Sequence, residues 1–498
     1  MRRGRIPGGG RTVRALALAF AVASAAAPTG VRATARTTEA EVVRADLRFL
    51  SAPERDGRGA LTAGLDRAAE LVAARFAAVG LEAAGDRGTF FQAVDIPVPQ
   101  RPSAETHLAL GDAPLTLGVD FVPNTGSATT RAGGPMVFVG GDFGGIDARG
   151  KVVLCLLSDS VSISRFVEKA VAHGAVGVLF VSGRGVADAT TAALEPLSAF
   201  TVDEVSAIAS FHVRPSAIDR LLAPGGMTVA KLQSASRSGE RPPVDLPGWA
   251  TFAVAWTPPF TKGRNVIGLL RGSDPKLEGE AVLVGAHYDH LGWGEEGGAL
   301  DGRRIHPGAD DNASGTAAMM AASARLARAT ARPRRSILFV AFTGEEKGWA
   351  GSRAVAARAP KTVVAMLNLD MVGRMKGNAL EVNGSATSGS WRAIVDGANV
   401  AGAGAVDALA LSYPRAVPSG SDHQPFILKE VPALFLFTGM HCDYHRGSDT
   451  WDKINVDGVV KVAKLVAAIA RIVADRAQRL EFEAPTWADR RPPMGCTP

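Results

Sequence analysis

Apolar residues in this chain gather into short, nearly continuous runs separated by stretches with helical spacing. Ala281-Val-Leu-Val-Gly-Ala286, Ser336-Ile-Leu-Phe-Val-Ala-Phe342, Val363-Val-Ala-Met-Leu-Asn-Leu369 and Val431-Pro-Ala-Leu-Phe-Leu-Phe437 lack a regular polar alternate position. Such runs read as strands buried on both faces of a parallel sheet. Between and after them lie a small-residue helix from Ser314 to Ala327 and a final helix with Val459, Val462, Val466, Ile469 and Val473 on its core face. Nearer the start, Ala63 to Gly80 has helical spacing and ends on a glycine stop, and Phe90 to Ile96 follows as a strand. Strands alternating with helices predict an α/β fold whose central sheet is mainly parallel, with right-handed crossovers and helices on both faces.

Residues 101–245 have another texture, with short strands broken by glycine. Pro135–Val139, Lys151–Leu157 and Ala175–Val181 are strands. A helix with Phe166, Val167, Ala170 and Val171 on one face ends at Gly174, and Pro242, Pro243 and Pro247 mark the exit. At 498 residues the chain is too long for a single core. The pattern divides it into a leader (1–33), a first part of the larger domain (38–100), a smaller inserted domain (101–245), the rest of the larger domain (250–480) and a tail (481–498).

Charge changes the picture only at the start. The net charge is +6, but Arg2, Arg3, Arg5, Arg11 and Arg14 all precede the apolar run Ala15–Ala27. That is the layout of a secretory signal peptide, with cleavage after Ala26 or Ala33, and the run is too short to span a bilayer. Loss of the first 26 residues leaves +1, so charge gives no reason to expect nucleic-acid binding. The expected location is secreted or periplasmic, with no stable membrane span after signal removal. Of the three cysteines, Cys155 lies in an apolar run and reads as a core residue, while Cys442 and Cys496 are free to pair in an oxidising compartment.

Five polar segments stand at or near the ends of the apolar runs: Gly285-Ala-His287-Tyr-Asp289, Gly308-Ala-Asp310-Asp311-Asn312, Thr343-Gly-Glu345-Glu346, Leu369-Asp370-Met371 and Asp443-Tyr-His445. Open α/β sheets bind ligands beyond the carboxyl ends of their strands. Zinc takes imidazole nitrogen and carboxylate oxygen, and two ions a few ångströms apart can share a carboxylate. His287, Asp311, Glu346, Asp370 and His445 are the candidate ligands. Asp289 follows His287 by two residues and falls on the same side of an extended segment, from where it can orient the ring. In each doubled acid, Asp310–Asp311 and Glu345–Glu346, one member can face metal and the other the protein or water. His290, His306, His423 and His441 lie close by and are set aside, as are Tyr413, Trp349 and Trp451, which read as packing residues.

Ala286-His-Tyr-Asp-His-Leu-Gly292, Gly308-Ala-Asp-Asp-Asn-Ala-Ser-Gly315, Gly344-Glu-Glu346, Asn368-Leu-Asp-Met371 and Asp443-Tyr-His-Arg446 resemble the M28 family of zinc peptidases, its aminopeptidases especially. Gly150-Lys-Val-Val-Leu and His173-Gly-Ala-Val-Gly-Val more weakly resemble an inserted protease-associated (PA) domain. The resemblance implies two zinc ions, one on His287 and Asp370, the other on Glu346 and His445, with Asp311 bridging. It implies Glu345 as general base acting on water, Asp289 as support for His287, and a cis peptide at Asp311–Asn312. Peptides are the implied substrates, cut at their N-termini. The same core also serves carboxypeptidases, for which Arg415 and Arg446 offer basic groups, and glutaminyl cyclases. A non-catalytic binding protein on a peptidase core is a more distant alternative, since such proteins usually lose ligands and all five positions are filled here.

Overall fold

The structure is a computed structural model describing residues 37–488, except 99, 125, 141–142, 157–161, 182–193, 195–205, 239–244, 295–297 and 359–361. The expected leader, Pro242, Pro243, Cys496 and most of the tail lie outside those residues, and with Cys496 the question of its pairing to Cys442.

Four parallel strands form the centre of a nine-stranded sheet, in the order Ser336–Phe342, Ala281–His287, Val363–Leu369, Ala433–Phe437. Every residue of Ala281–His287 and Val363–Leu369 is buried, as their unbroken apolar runs require. Side chains alternate between two cores. Val282, Val284 and Ala286 meet Leu47, Val72, Met319 and Val466 from helices Glu39–Leu50, Ala63–Ala78, Gly315–Ala327 and Val456–Asp475. Leu283 faces the other way, toward Val355 of helix Ala350–Arg358 and Phe426 of the short helix Gln424–Ile427. The five core-face residues expected on the last helix are all buried. Helix Gly315–Ala327 is buried almost all round, which only its small side chains permit.

The sheet is less parallel than the apolar runs suggest. Phe260–Leu270 runs antiparallel to Ser336–Phe342 and pairs antiparallel with Phe91–Pro97, and Ala379–Asn383 runs antiparallel to Ala433–Phe437. Connectivity explains the first pair. Phe91–Pro97 carries the chain out to a second sheet and Phe260–Leu270 carries it back, so they must point opposite ways. Their extensions stay together through Val98 N–H to Pro259 O and Ser103 N–H to Ala255 O.

The second sheet has eight strands, ordered Ala113–Pro114, His107–Leu110, Asp245–Val254, Thr130–Phe138, Val152–Leu156, Gly177–Val181, Ala209–Val213, Phe121–Pro123. It includes the strand Asp245–Val254, so it extends past the boundary expected at 245. Cys155 is buried there as a free thiol, and burial pushes its pKa up to about 12. Among the described residues no helix is long and apolar enough to cross a membrane.

Candidate metal centre

The parallel strands deliver their polar ends to one place. His287 closes the strand Ala281–His287, Asp370 follows Val363–Leu369, and Glu345 and Glu346 follow Ser336–Phe342. Between them Gly344 turns at φ +65°, with Ile96 packed where a side chain would stand. Asp311 lies in the tight turn Ala309–Ser314 leading into the helix, and the Asp311–Asn312 peptide is cis. His445 comes from the loop after Ala433–Phe437 and holds φ +54°.

Asp311 sits in the middle. Its Oδ1 lies 3.3 Å from His287 Nε2 and its Oδ2 lies 3.3 Å from His445 Nε2. His287 Nε2 is also 3.4 Å from Asp370 Oδ1, and His445 Nε2 is 3.4 Å from Glu346 Oε2. These four separations are long for hydrogen bonds, which fall at about 2.7–3.2 Å. They match the edge of a tetrahedron around zinc, about 3.3 Å for ligands at roughly 2.0–2.1 Å. The five candidate ligands therefore form two donor sets that share Asp311 through different oxygens, and their nitrogen and carboxylate atoms suit zinc. The Glu345 carboxylate lies with His287 and Asp370, where ligand atoms from all three come within 4.8 Å of one another.

Three buried acids hold this frame. The Asp289 carboxylate is 3.9 Å from His287 Nδ1, too far to orient the ring by a hydrogen bond. The imidazole turns instead to the Asp289 main-chain carbonyl at 3.2 Å, and the carboxylate accepts the backbone N–H groups of Glu345 and Glu346 at 3.1 and 3.3 Å. Asp449 does the same for the bridging turn, accepting N–H from Asp310 and Asp311 at 2.8 and 3.1 Å while pairing with Arg374. Asp310 points away from Asp311, accepting from Gly373 N–H and pairing with His441 Nε2 at 3.0 Å. Ser421 donates to the second oxygen of Asp370 and accepts from Asn368, both at 2.7 Å.

Arg58 lies beneath the site, fully buried, with hydrogen bonds of 2.6–2.8 Å to the carbonyls of Tyr288, Leu50, Pro307 and Gly308. It reaches this place from a turn in which Asp56, Gly57 and Arg58 are all left-handed. A Cβ on Gly57 would meet the Gly292 and His306 carbonyl oxygens at 2.4 and 2.6 Å, so the approach needs glycine.

Charge in the metal-free cluster follows from this crowding. Burial works against the ionised form of Asp311, yet His287 and His445 hold its pKa well below the usual carboxylate range. Burial opposes protonation of His445, but Glu346 and Asp311 lift it to about 9. Glu345 goes the other way: burial, with Glu346, Asp422 and Asp370 nearby, pushes it well above a normal glutamate despite His287. Burial likewise takes Asp422 up to about 7.

Of the histidines set aside on sequence, three lie elsewhere: His306 pairs with Asp301, His423 with the Pro418 carbonyl, and His441 with Asp310. His290 is different. It is buried inside the cluster with Nδ1 2.7 Å from Glu346 Oε1. Strand alternation from His287 does not reveal it, because the chain leaves the extended conformation after the strand ends. Tyr444 also goes unnoticed on sequence. Its ring stacks on His445 with centroids 3.7 Å apart, beside the apolar group Met371, Phe435, Phe437 and Met440.

The mixed α/β sheet thus gathers an imidazole–carboxylate cluster at the carboxyl ends of its parallel strands, where open sheets bind ligands. Residues 265–470 match the family model described as Peptidase family M28. A probable zinc metalloprotease of Pyrenophora teres f. teres is 39% identical over 118 residues, covering 22% of this chain and 23% of the relative. A probable leucine aminopeptidase of Arthroderma otae is 30% identical over 222 residues, 42% of this chain and 57% of the relative. The chain thus spans from under a quarter to just over half the length of these curated relatives. Among solved structures, an aminopeptidase from Aneurinibacillus sp. strain AM-1 is 22% identical, with 92% of this chain and 98% of that one covered at a TM-score of 0.46.

Proposed function

We propose that this protein is a two-zinc aminopeptidase that removes N-terminal residues from peptides. One observation carries the reading: the two carboxylate oxygens of Asp311 lie 3.3 Å from two different imidazoles, so one residue belongs to both donor sets. His287, Asp370 and Asp311 would hold one ion, and Glu346, His445 and Asp311 the other. Bound there, two zinc ions supply Lewis acidity toward a peptide carbonyl and make water a better nucleophile. Glu345 is the general base. Its carboxylate lies with His287 and Asp370, where it would take a proton from the attacking water and give it to the leaving amine. Asp289 fixes the Glu345–Glu346 backbone and so the direction in which the base points. The M28 match and the similarity to a probable leucine aminopeptidase support the exopeptidase assignment.

The assay is hydrolysis of amino-acid p-nitroanilides against N-blocked dipeptides by the purified mature protein, alongside zinc analysis. Cleavage of the free-amine substrates with two zinc per chain is expected. Cleavage confined to the blocked set would overturn the aminopeptidase reading in favour of a carboxypeptidase. The basic leader supports export to the periplasm or medium, and the short strands broken by glycine in 101–245 support a PA-like module. N-terminal sequencing of the exported protein tests the first: a start at Ala27 or Thr34 is expected, and a chain that keeps its basic leader would overturn it.

A further inference from the structure

We infer that His290 is a positioning residue for the second metal site, holding Glu346 so that only one of its carboxylate oxygens faces the ion. This rests on the two-zinc reading and deepens it. The ligand pairs described above stand 3.3–3.4 Å apart, the spacing of atoms that share an ion. His290 Nδ1 departs from that spacing in both directions. It is 2.7 Å from Glu346 Oε1, a hydrogen-bond distance, and 3.9 Å from Asp311 Oδ2, longer than the spacing of the other pairs. A carboxylate only accepts, so Nδ1 is the donor. Glu346 is then divided: Oε1 is taken by His290, and Oε2 is left facing His445.

The surroundings fix the imidazole for this one contact. Its side chain is fully buried, and Nε2 has no hydrogen-bond partner among the described residues. The ring packs on Gly308, where a Cβ would come within 2.5 Å of its Cδ2, and edge-on to His445 with centroids 5.7 Å apart. The His290 backbone N–H donates to the Arg58 carbonyl at 3.1 Å. The N-terminal turn, outside the span matched by the family model, therefore sets the backbone from which this imidazole reaches Glu346.

The test is zinc binding to chelator-stripped protein, read by equilibrium dialysis and elemental analysis, for the wild type, His290→Ala and His290→Asn. Asparagine keeps an N–H donor near the Nδ1 position. In His290→Ala the second ion should bind about 10–100-fold more weakly with the first unchanged, as for loss of other groups that orient ligands. His290→Asn should return most of that affinity. The urea midpoint of each zinc-free variant checks that the fold persists. Wild-type affinity for both ions in His290→Ala overturns the inference while leaving the two-zinc reading intact. Complete loss of the second ion with no rescue by asparagine also overturns it, making His290 a ligand. A wild type that takes up one equivalent removes the two-zinc reading itself, and this role with it.

Discussion

Arg58→Lys tests how much the frame under the metal centre depends on a planar fork rather than on a buried charge. Arg58 uses Nε, Nη1 and Nη2 to reach four carbonyls, and burial lowers its pKa only to about 10, so it stays charged at neutral pH. Lysine keeps the charge but presents its hydrogens from one nitrogen on a shorter stem. With three hydrogens on one nitrogen it can satisfy at most three of the four carbonyls. Stranding at least one buried acceptor costs about 1–3 kcal/mol or more. Against a typical total of about 5–15 kcal/mol that is a large share. Urea unfolding of the zinc-free protein reads the change as a lower midpoint at constant slope. Because two of the carbonyls belong to Pro307 and Gly308, just before the bridging turn, zinc affinity should fall as well. A midpoint shift worth less than about 1 kcal/mol would refute the argument that the fork geometry matters.

Three further outcomes follow from the same geometry. Glu345→Gln should lower turnover by about 100-fold or more while zinc content stays at the wild-type level, because an amide cannot act as base; unchanged turnover would remove Glu345 from the mechanism. Trp391, fully buried with its Nε1–H on Thr387, should cost about 3–5 kcal/mol when cut to alanine, read by the same urea titration. Asp120 in the second sheet's region has a lowered pKa, chiefly because the Thr116 backbone N–H donates to it, with Arg220 also paired. Its stabilisation is therefore full above the unfolded value of about 3.9 and is lost as pH falls through the lower folded value. The melting temperatures of wild type and Asp120→Asn should differ at neutral pH and converge in acid; a constant gap down to about pH 2 would contradict this.

Much of the site was legible because His287, Asp370 and Glu346 stand at or just after strands whose burial on both faces leaves a recognisable apolar run. His287, Asp370 and the Glu345–Glu346 pair are read directly from where those runs stop. The doubled acids were harder, since alternation says that neighbours diverge without saying which one faces the metal; the M28 resemblance supplied the choice of Asp311 and Glu346. His290 and Tyr444 were not legible, because both sit in loops with no periodicity to read. Asp449 and Arg58 were hidden by distance along the chain, Arg58 lying 230 residues before the Tyr288 carbonyl it holds.

The sequence by itself determined the central strands, their helices and the kinds of ligand atom at the strand ends, because burial and local chain geometry are written in short-range patterns. Only the tertiary structure decided how those atoms are shared. It placed Asp311 between two imidazoles, turned the Asp289 carboxylate from His287 to the Glu345–Glu346 backbone, and brought His290 onto Glu346. It also set the antiparallel flank of the sheet, where the chain leaves for the second sheet and returns. These are contacts between segments far apart in the chain, made when the sheet and the N-terminal turn pack together, and no local periodicity encodes them.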